Sequence, residues 1–140
     1  MDKFKEIFEG NKSAYGIMRR TGETTAKGKA VAKAQIKRAK VSDNLWQEHL
    51  EGKDPALGII PINEDNMCRW GCIDVDVYNL DHKKVIEGVK EATRPLVTFR
   101  SKSGGAHVFI FVKEFVSAKL MRIKLKAIAD LLGYHSSEIF

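Results

Sequence analysis

The sequence predicts an α/β (α+β) fold in which helices flank a mixed or antiparallel sheet. Short runs of β-branched and aromatic residues alternate along the chain with segments whose apolar residues recur at helical spacing. Two of these runs, Leu96 to Arg100 and Ala106 to Val112, are joined by a glycine-containing segment of hairpin length, which predicts an antiparallel pair. A chain of 140 residues can bury a real core, so we expect one domain over residues 1–140.

The first half of the chain contains two predicted helices and two predicted extended segments. These are a helix over 2–9, an extended segment over 14–21, a helix between Ser42 and Gly52, and a strand over 57–62. The last of these carries a proline near its end, which favours an edge strand. The Lys- and Ala-rich stretch 22–40 shows no clear amphipathic order, so we expect a mobile basic loop there.

The second half is patterned more clearly. It contains a strand through Asp74, a helix over 81–92, the two strands of the hairpin, a helix from Ser117 to Gly133, and the beginning of a strand over 137–140. The chain stops shortly after this last strand begins. We therefore expect the sequence to be a part of a longer protein, truncated on its C-terminal side.

Composition excludes several classes of protein. No run approaches the ~20 apolar residues that a membrane span needs, and the charged first residues do not resemble a secretory signal. We therefore expect a cytoplasmic protein without a membrane partner. Cys68 and Cys72 lack two further ligands at zinc-site spacing, which favours buried reduced thiols over a metal site.

The net charge of +6 is unevenly distributed along the chain. Residues 1–53 carry twelve Lys/Arg and seven Asp/Glu, residues 54–81 carry one and six, and residues 82–140 carry eleven and five. An acidic centre thus lies between two basic arms. Basic residues attract phosphates and carboxylates hold metal ions, so this pattern is typical of a protein that handles nucleic acid by metal chemistry.

Two aspartates, Asp74 and Asp76, lie two residues apart in a β-branched run. Strand side chains alternate, so we expect both carboxylates on one face. Adjacent ionised carboxylates repel, and a divalent cation between them relieves the repulsion. The pair therefore predicts a site for Mg²⁺ or Mn²⁺.

A glycine-rich turn follows about thirty residues later, with the sequence Arg-Ser-Lys-Ser-Gly-Gly-Ala-His from Arg100 to His107. Backbone N–H groups in such a turn form a small concavity that binds anions, and the basic side chains add positive charge. We therefore expect this segment to bind a polyanion held through the metal.

In combination, these motifs resemble the archaeo-eukaryotic primase superfamily, and among its members the primase-polymerases of phages, plasmids and related mobile elements. The family's first motif is a hydrophobic strand ending in two acids, here Asp74 and Asp76. Its second is a Ser-Gly-x-His type turn, matched by Ser103 and His107 with one additional residue. Its third is another acid, for which the candidate is Glu138. The resemblance implies the RRM-like catalytic core of these enzymes.

The resemblance also implies roles for individual residues. Asp74, Asp76 and Glu138 would bind Mg²⁺ or Mn²⁺ and, with His107, form the catalytic set. The residues implied in nucleotide binding are Arg100, Lys102, Ser103, Gly104, Gly105 and His107.

The implied activity is that of a DNA primase/polymerase in DNA replication, a nucleotidyltransferase that makes or extends primers by two-metal phosphoryl transfer. Its partners would be nucleoside triphosphates and a single-stranded DNA template, contacted by the basic segment around Arg19, Arg20, Lys27 and Lys29. No Walker A motif is present, so unwinding would have to come from a partner such as a replicative helicase.

Two alternatives from other classes remain open at the level of sequence. One is another Asp-x-Asp metal-dependent phosphate-ester enzyme such as a nuclease, and the other is a non-catalytic nucleic-acid-binding fragment. A separate question is whether three aromatic residues pack in a core or stack on bases. These residues are Phe99, Phe109 and Phe111. Their alternation with aliphatic residues favours the core, and the apolar neighbours of Trp70 favour packing there as well.

Overall fold

The computed structural model describes residues 1–26, 30–77, 79–92, 95–101 and 104–140. Backbone contacts divide the chain into two compact units, Met1–Asp65 and Asn66–Phe140. That the two units act as one catalytic domain stays a prediction. No helix within the described ranges is long and apolar enough to cross a membrane.

The first unit contains a three-stranded antiparallel sheet and two short helices. Its elements are α1 (Asp2–Ile7), β1 (Tyr15–Thr24), β2 (Ala30–Lys37), α2 (Asp43–Leu50) and β3 (Ala56–Ile59). The strand order is β2-β1-β3, so β3 is an edge strand as expected, although it ends at Ile59 and Pro61 lies beyond it. The Ser42 hydroxyl accepts a hydrogen bond from the Leu45 N–H at 3.2 Å, which caps α2 as expected.

The prediction of a mobile loop over residues 22–40 was wrong for most of its length. Residues Ala30–Lys37 form β2, which pairs antiparallel with β1 from Tyr15 opposite Lys37 onward. Residues 32–37 do alternate apolar with polar side chains, but alanine and lysine are uncommon in strands, so the composition of the segment concealed this period-two pattern. Pairing with β1 therefore decides the conformation of this segment.

The second unit contains a four-stranded sheet and two longer helices. Its elements are β4 (Met67–Val75), α3 (His82–Glu91), β5 (Leu96–Arg100), β6 (Ala106–Ser117), α4 (Ala118–Leu131) and β7 (Glu138–Ile139). The strand order is β5-β6-β4-β7, and all pairings among the described strands are antiparallel. The expected α+β fold is confirmed, with antiparallel rather than mixed sheets.

The two faces of the second sheet have different environments. One face forms the core with α3 and α4, where Ile73, Val75, Val108 and Leu125 are completely buried. Because side chains alternate along β4, Asp74 lies on the opposite face from Ile73 and Val75. The apolar core and the candidate acid are therefore neighbours in sequence but lie on opposite sides of one strand.

Gly71 lets α4 pack closely against β4. A Cβ atom at this position would lie 2.6 Å from Leu125 Cδ1, 3.0 Å from Met121 Cγ and 3.1 Å from the Phe140 carbonyl oxygen. Leu125 and Met121 are themselves buried, so they have little room to move. The absence of a side chain at Gly71 is therefore a packing requirement of the second unit.

We expect Gly71→Ala to lower the free energy of unfolding by about 1–3 kcal/mol, because the added methyl group overfills the contact between β4 and α4. Urea denaturation followed by tryptophan fluorescence measures this change. Gly58→Ala is the control, because a Cβ at Gly58 would meet no atom closer than 3.7 Å. Equal stability of the two variants would contradict this account of the packing.

Candidate nucleotide and metal site

A row of polar side chains crosses the second sheet at the level of Asp74. Asp74 on the central strand β4 lies directly opposite His107 of β6 on one side and Glu138 of β7 on the other. Directly opposed residues of antiparallel strands project from the same face. Strand pairing thus brings together three of the four residues predicted as catalytic. We call Glu138, Asp74 and His107 the polar row.

His107 contacts Asp74 within this row. The His107 Nε2 atom lies 3.4 Å from Asp74 Oδ1, and the side chains are 40% and 30% exposed, respectively. Both groups are therefore partly shielded yet open to a ligand from solvent. The imidazole can orient the carboxylate when it is neutral and form an ion pair with it when it is protonated.

Asp76 occupies a different position from the one predicted. β4 ends at Val75, so Asp76 lies just beyond the strand, where regular alternation no longer determines its direction. Its side chain is exposed and lines a cavity of about 330 Å³ together with His82, Arg100 and Gly104. Asp76 therefore lies beside the glycine-rich turn. Whether it shares a metal ion with Asp74 stays a prediction.

Glycine is required at both positions of the turn, for a different structural reason at each. Gly104 has a φ of +94°, a conformation that favours glycine. A Cβ on Gly105 would lie 2.3 Å from the Val75 carbonyl oxygen, so only glycine permits this approach to the end of β4. The pair of glycines therefore holds the turn against the strand end that precedes Asp76.

Hydrogen bonds close this turn internally. The Ser101 N–H donates to the Gly105 carbonyl oxygen at 2.9 Å, and the Gly104 N–H donates to the Ser101 carbonyl oxygen at 3.1 Å. The Gly104 N–H is thus already engaged, and binding an anion there would require the turn to open. Lys102 and Ser103, both predicted to bind nucleotide, lie outside the described residues.

His82 is a candidate site residue that the sequence reasoning missed. It is the first residue of α3, and its Nε2 atom lies 3.2 Å from the Gly105 carbonyl oxygen. A carbonyl oxygen only accepts, so Nε2 carries the hydrogen in this contact. The bond ties the start of α3 to the turn. No local sequence pattern could have indicated this hydrogen bond, because His82 and Gly105 are distant in the chain.

The donor set of the polar row fits a hard divalent cation by its chemistry. Asp74 and Glu138 offer carboxylate oxygens, the ligands that Mg²⁺ and Mn²⁺ prefer. Within the described ranges, no group of three or more Asp, Glu, His or Cys residues could hold a metal ion. Magnesium commonly binds through one or two carboxylates together with water and substrate phosphates. The arrangement therefore fits a cation that binds with its nucleotide better than one held by protein alone.

The two cysteines are free and buried, as predicted. Cys68 belongs to the helix-side core, whereas Cys72 alternates with Ile73 and lies on the face of Asp74. A shift in register between Cys68 and Trp70 accounts for this difference. Burial, together with the nearby Asp74 charge, raises the pKa of the Cys72 thiol to about 12, and burial also raises the pKa of Cys68.

The fold and the polar row define the class of protein, an α+β core with a four-stranded antiparallel sheet that carries acids and a histidine on one face. A family model described as the TOTE conflict system, Archaeo-Eukaryotic Primase domain matches residues 2–139. The chain belongs to this family, and the resemblance to the archaeo-eukaryotic primase superfamily is confirmed. No curated protein matches the chain significantly.

We expect both thiols to resist alkylation at pH 8 in the folded protein and to react fully in denaturant, because their raised pKa values keep them protonated. For Cys72, the direction in which stability changes with pH follows from its pKa, which is about 12 in the folded protein against an ordinary value of 9.0. Its contribution to stability is present below pH 9 and is lost as the pH rises toward 12.

The comparison of wild type with Cys72→Ala isolates this contribution from that of other groups that titrate at high pH. Between pH 9 and 11, the free energy of unfolding should fall less steeply in the variant. Rapid alkylation of Cys72 in the folded protein, or parallel stability curves for the two proteins, would show that the thiol is not held protonated.

Proposed function

We propose that the chain is a metal-dependent nucleotidyltransferase of the primase-polymerase type, which makes or extends primers on single-stranded DNA. The observation that carries the proposal is the polar row, in which strand pairing aligns Glu138, Asp74 and His107 on one face of the sheet. Family membership adds support, since the matching model describes a primase domain.

Each residue of the row has a role that follows from its chemistry. Asp74 and Glu138 would hold Mg²⁺ or Mn²⁺, which when bound neutralises charge on the attacking oxygen and the leaving phosphate. In its protonated form, His107 would donate one ring N–H to Asp74 and the other to the triphosphate from the same face.

The cavity beside the turn would take the remainder of the triphosphate. Asp76 is the third candidate ligand there, and Arg100 supplies a cation in the same lining. Gly105 and His82 would hold the turn in place, since the Gly105 carbonyl oxygen accepts from both Ser101 and His82.

A basic hairpin in the first unit is our candidate for contact with the template. Arg19 of β1 lies directly opposite Lys33 of β2, and both side chains are exposed. Like charges at directly opposed positions destabilise an antiparallel pair. Neither residue forms an ion pair within the described part of the chain. A phosphate backbone would relieve this repulsion. Lys27 and Lys29, also predicted to contact the template, lie outside the described residues.

A metal-dependent nuclease is the second candidate function, and one observation favours it. A nuclease needs a base beside its acids, and His107 lies 3.4 Å from Asp74. Both activities would use the same row, so they are separated by their products. Labelled single-stranded DNA incubated with Mn²⁺ and nucleotides becomes longer if the chain is a polymerase and shorter if it is a nuclease.

The biological setting is also part of the proposal. The matching family model refers to a conflict system, whereas the resemblance noted in the sequence implied a role in DNA replication. Synthesis on a single-stranded template is compatible with either setting, because the chemistry at the polar row would be the same.

We expect the wild-type chain to bind a nucleoside triphosphate only in the presence of Mn²⁺, and Asp74→Asn to abolish this binding, because the amide no longer supplies a charged metal ligand. Isothermal titration calorimetry with and without EDTA measures this nucleotide binding. The same substitution should change the free energy of unfolding by less than about 1 kcal/mol, because Asp74 makes only a partly exposed ion pair.

Asp65→Asn serves as the charge control, since it removes one negative charge from an exposed residue of the first unit. It should bind nucleotide like wild type. If wild type binds only with metal and Asp74→Asn does not bind, primer synthesis on single-stranded DNA is the next assay. Metal-dependent binding that survives in Asp74→Asn would disprove the assigned role of the polar row.

We expect the double variant Arg19→Gln, Lys33→Gln to bind single-stranded DNA more weakly than wild type in EDTA. The slope of log K against the logarithm of salt concentration should be smaller in magnitude by about 1.4, the value for two lost phosphate contacts. Fluorescence anisotropy over a series of salt concentrations measures the slope. Lys83→Gln, Lys84→Gln removes the same charge from exposed positions on α3 and should leave the slope closer to wild type. Identical slopes for the two double variants would argue against the hairpin.

A further inference from the structure

Aromatic side chains continue the polar row along the same face of the second sheet. Phe99 of β5 lies directly opposite His107, so it extends the row by one strand. Phe109 is at the centre of the cluster, with ring centroids 5.6 Å from Phe99, 6.1 Å from His107 and 5.8 Å from Phe111. An apolar surface therefore begins immediately beside the candidate phosphate-binding residues.

The members of this cluster differ in exposure. Trp70 is only 5% exposed and contacts Phe109 at 6.0 Å, so the expected packing role of Trp70 is confirmed. Phe109 and Phe111 are half-buried. Phe99 is 50% exposed, although it packs edge-on against Phe109. Core packing was expected for all three phenylalanines, but Phe109 and Phe111 are only half-buried on the face opposite the helix-side core, and Phe99 is exposed.

We propose that Phe99 is a stacking platform for the nucleobase of the nucleoside triphosphate bound at the polar row. The inference rests on the proposed function, because the polar row is what would hold the triphosphate. An exposed ring next to such residues presents an apolar surface within reach of the base of the same ligand. Phe109 supports the ring from the side in a T-shaped contact at an angle of 80°.

The chemistry of the surface points to a base rather than to another apolar ligand. A nucleotide combines a polyanion with a flat aromatic group, and this face combines a charged row with a supported ring at the neighbouring position. Phenylalanine has no hydrogen-bonding group, so it would bind every base by its π-face without reading sequence. Such tolerance suits an enzyme that takes its sequence information from a template.

The test compares two nucleoside triphosphates that differ in the base with inorganic tripolyphosphate, which has no base. With Mn²⁺ present, we expect Phe99→Leu to bind ATP and CTP about tenfold more weakly than wild type, because stacking is lost. Its binding of inorganic tripolyphosphate should be unchanged. Phe99→Trp should bind all three ligands at least as well as wild type. Leucine keeps an apolar side chain at the position, so a purely structural role would be largely preserved.

Val97→Ala is the matched control, because Val97 lies two residues earlier on the same strand and face and is 42% exposed. It should leave the binding of ATP and of tripolyphosphate as in wild type. Unchanged ATP binding in Phe99→Leu would overturn the inference and leave the proposed function standing. Equal weakening of ATP and tripolyphosphate would also overturn it. Failure of wild type to bind either ligand would reject the proposed function and the inference with it.

Discussion

The antiparallel pairing of β4 with a strand on each side is the constraint on which the rest of the second unit depends. β4 pairs with β6 along most of its length and with β7 at Ile73 and Asp74, which makes it a central strand at the level of Asp74. The same pairing sets the register that brings Asp74 level with His107 and Glu138. A slip of one residue would turn Asp74 into the core and Ile73 out of it. The hydrophobic core and the polar row are therefore specified by one register.

Glycine provides two further conditions for this arrangement. Gly71 allows α4 to cover the helix side of β4, where side chains are fully buried. Gly105 allows the turn before β6 to approach the end of β4 at Val75. The first contact stabilises the core, and the second brings the turn close to the acidic end of the strand. Both depend on the absence of a Cβ atom at a point where two backbones or a backbone and a helix meet.

Local chemistry made much of the fold predictable. Ser42 and Asp81 cap α2 and α3 with their side-chain oxygens. Such caps can be predicted from the sequence because donor and acceptor are only two or three residues apart. β2 was missed because its alternating pattern is built from alanine and lysine, which have low strand preference, so pairing with β1 is what settles its conformation. The difference between these cases is the sequence separation of the interacting groups.

The sequence by itself determined the positions of the helices, the two motifs and the family, because residue spacing, caps and glycines act over a few neighbours. It also supplied all three members of the polar row as candidates. Only the tertiary structure decided that His107 contacts Asp74, that Asp76 lies beyond the strand near His82, and that Phe99 stays exposed while Phe109 does not. These outcomes depend on strand register and on packing between segments far apart in the chain, which no local pattern encodes.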